Sequence, residues 1–246
     1  MINTLKLDFL KKLLIRFKKN SKENPFVAEM TEDENLLLEK CLKYSMTSKI
    51  RMWMLLNSIN HVYNNKIEGD FVECGVWKGG NLILFETLNK KFNLEKKVFG
   101  YDTFEGMSNP TKYDVKYSGW SALENYQKRI ESNEGYCFAS LNEVRQNINS
   151  ELAESNINLI KGKVEETLLL EKNLPKKISI LRLDTDFYES TLFGLEILYP
   201  KLEKGGVLII DDYGSYKGAK KAVDQYFKIK PFLIYIDQSS RMIIKD

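Results

Sequence analysis

Histidine is almost missing from this chain of 246 residues: His61 is the only one. Ser-His and Cys-His nucleophilic catalysis are therefore not expected, and no imidazole set exists to hold zinc. Cysteine is scarce as well. Cys41, Cys74 and Cys137 are odd in number and lack CxxC or Cys/His metal spacing, which suits reduced thiols in a cytoplasm and not a disulfide framework. No apolar run approaches the ~18 residues of a membrane span. Charges also interrupt the leading Leu5–Lys12 stretch, where a signal peptide needs an apolar core. Net charge is low too, at +3 from 37 Lys+Arg and 34 Asp+Glu, and low-complexity tracts and internal repeats are missing. Collagen, coiled-coil and disordered classes are thereby excluded, and the length suffices for a sizeable core without staples.

The small net charge conceals an asymmetry. Residues 1–22 hold seven basic side chains and one acid, Asp8, so that arm is +6 and the remainder is −3. A body of that charge is not a nucleic-acid binder. Leu10, Leu13, Leu14 and Phe17 fall at helical spacing, so residues 4–19 read as a basic amphipathic helix. Such a helix packs on the domain or on another subunit of a homo-oligomer; its sharper use is peripheral contact with an anionic membrane surface. The polar stretch 20–34 with Pro25 reads as a linker, giving an arm over 1–34 and a main domain over 35–246.

Helical patterns cover 32–45 and 48–64. From Gly69 onward, β-rich runs at 70–75, 97–102, 157–161, 178–184 and 206–211 alternate with helical stretches at 80–92, 140–155, 187–200 and 217–228. The alternation predicts an α/β domain: a doubly wound, mostly parallel sheet covered on both faces. Two further runs, 231–236 and 241–245, are joined by Asp237-Gln238-Ser239-Ser240, which predicts a C-terminal hairpin and a seventh strand antiparallel to the rest. Ligands of such sheets bind at the carboxyl ends of the strands.

The first strand runs into Glu73-Cys74-Gly75-Val76-Trp77-Lys78-Gly79-Gly80 and then a helix. A glycine turn there permits close ligand approach beside helix N–H groups. Its G-x-x-x-G-G spacing is neither the dinucleotide fingerprint nor a P-loop, which ranks a nicotinamide oxidoreductase last. Asp102, ending the second strand, is placed to hydrogen-bond a ribose diol, and Glu73 to attract an ammonium group. Adenosine together with a cationic amino acid describes S-adenosyl-L-methionine.

Asp184 ends the fourth strand, and Asp211-Asp212 end the fifth. Three converging carboxylates repel unless protonated or bridged by a cation, and an all-oxygen donor set suits Mg²⁺. Asp186-x-x-Glu189 and Ser140-x-x-Glu143 read as helix capping boxes. His61, on an apolar-striped helix, reads as structural, and Cys74 as a packed thiol.

Several segments together resemble the macrocin/mycinamicin-type sugar O-methyltransferases. They are Met46-Thr47-Ser48 with Arg51; Gly69 through Gly80; Asp102-Thr103-Phe104-Glu105-Gly106-Met107; Leu181-Arg182-Leu183-Asp184; Tyr188-Glu189-Ser190-Thr191; and Gly205-Gly206 through Asp211-Asp212-Tyr213. The resemblance spans about residues 44–245 in order. It implies S-adenosylmethionine and Mg²⁺ as cofactors and a sugar acceptor. It places the cofactor on Thr47, Ser48, Glu73, Cys74, Gly75, Val76, Trp77, Asp102, Thr103 and Ser140. The metal falls on Asp184, Asp211 and Asp212, with Asp184 also the general base. One departure stands out: Asp184-Thr185-Asp186 replaces the family's Asp-Gly-Asp. Residues 104–139 form a long insertion whose Tyr113, Tyr117, Trp120 and Tyr126 suit either sugar stacking or a subunit contact. The rival functions are methylation of a catechol or small phenol on the same fold, and a non-catalytic scaffold.

Overall fold

A computed structural model of the chain describes residues 27–132 and 137–246. The expected amphipathic helix over 4–19 lies outside the described residues. Helix α1 (Glu32–Leu42) begins where the helical pattern over 32–45 places it, at the end of the stretch read as linker, with Glu32, Asp33 and Glu34 in its first turn, where acids favour the positive end of the helix dipole. Helix α2 (Lys49–Asn64) is capped by Ser48, whose Oγ accepts from the Arg51 amide. His61 on α2 bonds through Nε2 to the Gly205 carbonyl, the structural role expected of it.

Strands β1 (Asp70–Cys74), β2 (Val98–Asp102), β3 (Ile157–Lys161), β4 (Ile178–Leu183), β5 (Leu202–Ile210), β6 (Ile234–Tyr235) and β7 (Arg241–Ile244) form one sheet in the order β3-β2-β1-β4-β5-β7-β6. The first five run parallel, and β7 is antiparallel to β5 and to β6. This is the expected doubly wound sheet with a reversed C-terminal hairpin. Crossovers are made by α3 (Gly80–Lys91), α5 (Leu141–Glu151), α6 (Val164–Thr167), α7 (Tyr188–Leu198) and α8 (Lys217–Tyr226). Strand alternation sends Phe71 to one face, stacked on Phe85 of α3, and Val72 and Cys74 to the other, packed with Leu195, Leu198 and Val223 of α7 and α8. Among the described residues no helix is long and apolar enough to cross a membrane.

Several elements depart from the sequence expectation: β6 shrinks from the expected 231–236 to Ile234–Tyr235, and the short helix α6 was not expected. β5 starts four residues early, at Leu202, and reaches the expected run through an irregularity around Gly205, whose φ is +78°. The insertion contains an unforeseen helix, α4 (Ala122–Ser132). Asp114 organises the loop before α4: buried, it accepts from the amide and hydroxyl of Thr111 through Oδ2 and from the Tyr188 amide through Oδ1. The expected cap for α7, Asp186, is not its cap. Asp114, 74 residues earlier in the chain, satisfies that helix N-terminus instead.

Candidate active site

The site lies where β1, β2, β4 and β5 end together. A cleft of about 320 Å³ opens there, lined on one side by Gly75, Trp77 and Asp102 and on the other by Asp184, Asp186, Asp211 and Asp212. Thr47, Arg51, Lys116 and Tyr216 complete much of its wall.

On the first side, the turn after β1 is held by Asp102. Oδ2 accepts from the Val76 and Trp77 amides at 2.8 and 3.1 Å, and Oδ1 from the Phe104 amide at 2.8 Å. Thr103 Oγ1 donates to the Gly106 carbonyl and steadies the next turn. The carboxylate expected to meet a ribose therefore also clamps the glycine turn to β2. The glycines answer to packing as much as to a ligand. A Cβ on Gly75, at φ +85°, would lie 1.9 Å from the Asp184 carbonyl oxygen, and one on Gly80 would lie 2.5 Å from the Cys41 carbonyl oxygen. Cys74 is buried beneath the turn, and burial drives its thiol pKa far up, as expected of a packed and inert sulfur.

The second side is ionic. Register places Arg182 of β4 beside Glu73 of β1. Arg182, only 2% exposed, donates from Nη1 to Glu73 Oε1 at 2.6 Å and to Asp184 Oδ2 at 2.8 Å, and from Nη2 to Asp211 Oδ1 at 2.6 Å. Arg51 takes the other oxygen of Asp211 at 2.6 Å and, through Nε, Asp237 in the β6–β7 turn at 2.7 Å. Both oxygens of Asp211 are thus committed to guanidinium groups. Asp184, Asp186 and Asp212 instead bring one oxygen each within 4.8 Å of one another. Asp211 had been expected in this trio and Asp186 had not. The reason is local: Asp186 has a φ of +59°, which frees it from the helix start and turns it toward Asp212.

Electrostatics mark the trio as incomplete. Burial, then the neighbouring carboxylates, hold Asp212 well above the usual carboxylate range; desolvation and the crowd of acids do the same to Asp184, whose side chain still keeps an edge open to the cleft, against the pull of Arg182. Asp186 is pushed up to about 6, chiefly by burial. Among the buried side-chain oxygens without a hydrogen-bond partner are Asp212 Oδ2 in the trio, Glu165 Oε2, Asn81 Oδ1 and Glu73 Oε2, whose other oxygen is shared by Arg182 and Asn81. An unsatisfied buried carboxylate oxygen costs ~1–3 kcal/mol or more, so it suits a cationic partner. A divalent ion fits at Asp212, which lines the cleft; Glu73 is wholly buried behind the cleft and does not line it.

Of the remaining expected residues, Thr47 lines the cleft and accepts from Arg182 Nη2 at 3.4 Å. Ser48 and Ser140 serve as caps of α2 and α5 and do not line it. The Val76 side chain is buried, and its amide is what Asp102 holds. Sequence reasoning assigned no role to Arg182, Arg51 or Asn81. Arg182 had a readable signal: the one charge in the wholly buried run of β4.

Comparison with known proteins agrees with this architecture. The macrocin-O-methyltransferase (TylF) family model matches residues 5–242. The demethyldecarbamoylnovobiocin O-methyltransferase of Streptomyces niveus is 31% identical over 201 residues, which is 79% of this chain and 73% of that protein. A tetracenomycin-C 4'-O-methyltransferase of Streptomyces olivaceus, named for a dimethoxy-rhamnosyl substrate, is 30% identical over 186 residues, 74% of this chain and 67% of that one. The solved structure of the O-methyltransferase NovP superposes with a TM-score of 0.69 at 31% identity, over 82% of each chain. The chain belongs to the macrocin-O-methyltransferase (TylF) family and is an S-adenosylmethionine-dependent O-methyltransferase.

Proposed function

We propose that the chain methylates a hydroxyl of a sugar acceptor, carried on a glycan, a nucleotide or a glycosylated metabolite, with Mg²⁺ beside the acceptor. The observation that carries this is the trio Asp184, Asp186 and Asp212 with the unpartnered Asp212 Oδ2, across the cleft from the glycine turn. Asp184 and Asp212 would hold the cation, with Asp186 in the third place that the resemblance assigns to Asp211. Mg²⁺ at that position supplies Lewis-acid polarisation of an acceptor hydroxyl and a fixed orientation for it. Glu73, at the end of β1, would supply the negative charge that attracts the ammonium of the cofactor. Val76, Trp77, Asp102 and Thr103 form the turn against which its ribose and methionine portions lie. Asp184, with 31% of its side chain exposed against 5% for Asp211, is the carboxylate that receives the acceptor proton. The cofactor's methyl is already activated, so alignment supplies much of the acceleration.

The relatives' names support the acceptor class, since one specifies a rhamnosyl-bearing molecule. A homo-oligomer, and surface contact through residues 1–22, belong to the same proposal on sequence grounds. The test is methyl transfer to a glycoside bearing a vicinal diol, with a catechol in parallel and EDTA added to each. Turnover of the glycoside that EDTA abolishes and Mg²⁺ restores is expected. EDTA-resistant turnover, or methylation of the catechol alone, would overturn the reading.

A further inference from the structure

Among the described residues, the two most exposed large apolar side chains are Ile229 (89%) and Phe232 (86%). They stand three residues apart in the run Phe227-Lys228-Ile229-Lys230-Pro231-Phe232, which leaves α8 and leads to the edge strand β6. The preceding helix buries Ala219, Ala222 and Val223 and carries Lys217, Lys220 and Lys221. From residue 217 to 235 there are five lysines and one acid, Asp224, and Asp224 is bonded to Lys220 and to the Tyr213 hydroxyl. The basic groups gather: Lys220, Arg241 and Lys230 lie 5.5, 5.6 and 5.9 Å from the centroid of the Tyr213 ring. Arg241 also covers Tyr235, itself 63% exposed.

Adjacent exposed aliphatic and aromatic side chains mark a contact surface. Its occupant has to accept lysines and apolar groups together. A second copy meeting this face by two-fold symmetry would set lysine against lysine, which disfavours it. An anionic bilayer satisfies both requirements, with lysine heads at the phosphates and apolar tips at the headgroup–acyl boundary. We propose that the 227–233 segment, flanked by the lysines of α8, docks this protein on an anionic lipid surface through Ile229 and Phe232. This holds whatever the acceptor, and it adds a described surface distinct from the arm over 1–22.

The test is co-sedimentation of the full chain with vesicles of phosphatidylcholine alone or with roughly 30% phosphatidylglycerol. Binding to the anionic vesicles only, reversed by salt on the order of 0.5 M, is expected. Substituting Ile229→Ser with Phe232→Ser should lower partitioning about tenfold or more. Lys228→Gln with Lys230→Gln should lower it by a similar factor, at about fivefold per lysine. Circular dichroism and turnover on a soluble acceptor should be unchanged in both. Wild-type partitioning by the variants, or no preference for anionic vesicles, would overturn the proposal. So would a change in solution mass caused by Ile229→Ser with Phe232→Ser, since that assigns the face to a second copy.

Discussion

The two walls of the cleft are built on opposite principles. On the β1–β2 side, Asp102 accepts from three backbone amides, and the turn is closed by bonds within the chain. On the β4–β5 side, Asp184, Asp186, Asp211 and Asp212 crowd together, two arginines hold part of their charge, and Asp212 Oδ2 is left unpartnered. The glycine turn of the first wall is closed before any ligand arrives, while Glu73 Oε2 and Asn81 Oδ1 behind it have no partner. The second wall carries a surplus of negative charge that a cation completes. Shape for the cofactor is thus set by hydrogen bonds, and readiness for the acceptor by unspent charge.

The largest expected effect comes from removing the unspent charge. Asp212→Ala and Asp184→Ala should each lower turnover by about a thousandfold or more, because several kcal/mol of cation-derived stabilisation disappears. Cofactor affinity, measured by calorimetry, should stay within a few-fold in both. Loss of cofactor binding would mean that the two walls are one unit.

Removing the arginine that restrains the acids should act on stability instead. Arg182→Met leaves Glu73, Asp184 and Asp211 without their shared partner, and breaking a buried ionic network costs ~3–5 kcal/mol. Denaturant unfolding measures it. A stability within 1 kcal/mol of wild type, a rough threshold for a single surface contact, would show the network to be solvated.

On the first wall, Asp102→Ala strands three backbone amides, so a loss of ~1–3 kcal/mol is expected along with weaker cofactor binding. If cofactor affinity falls and stability does not, Asp102 serves the ribose alone. The smallest effect is a rate. Burial pushes the Cys41 thiol up to about 12 and Cys74 higher still, so neither should react with a thiol reagent at neutral pH in the native state. Rapid labelling of Cys74 would show that the turn above it opens.

Most of the sheet was readable because strand periodicity and the glycines flanking β1, Gly69 and Gly75, are local signals. β1, β2, β3 and β4 fall within a residue of their expected bounds. The carboxylate site was readable only in part. Asp186 was misassigned because Asp186-x-x-Glu189 imitates a capping box, while the true cap, Asp114, comes from an insertion that no local pattern links to α7. Asp211 was assigned to the cation because, with Asp212, it ends the fifth strand beside Asp184. Its commitment to Arg51 and Arg182 depends on α2 and β4 meeting in space. Helix α4 was missed although Leu123, Tyr126 and Ile130 fall at helical spacing, because the whole stretch 104–139 was read as one insertion.

Cation binding tests the central claim most directly. Titrating Mn²⁺ or Mg²⁺ into the wild-type chain and into Asp212→Asn, Asp186→Asn and Asp211→Asn, followed by calorimetry, separates the trio from the arginine-bound acid. One site per chain is expected, lost with Asp212→Asn, weakened strongly with Asp186→Asn and largely kept with Asp211→Asn. A wild-type chain that binds no divalent ion, or an Asp212→Asn variant that binds it unchanged, would contradict the account.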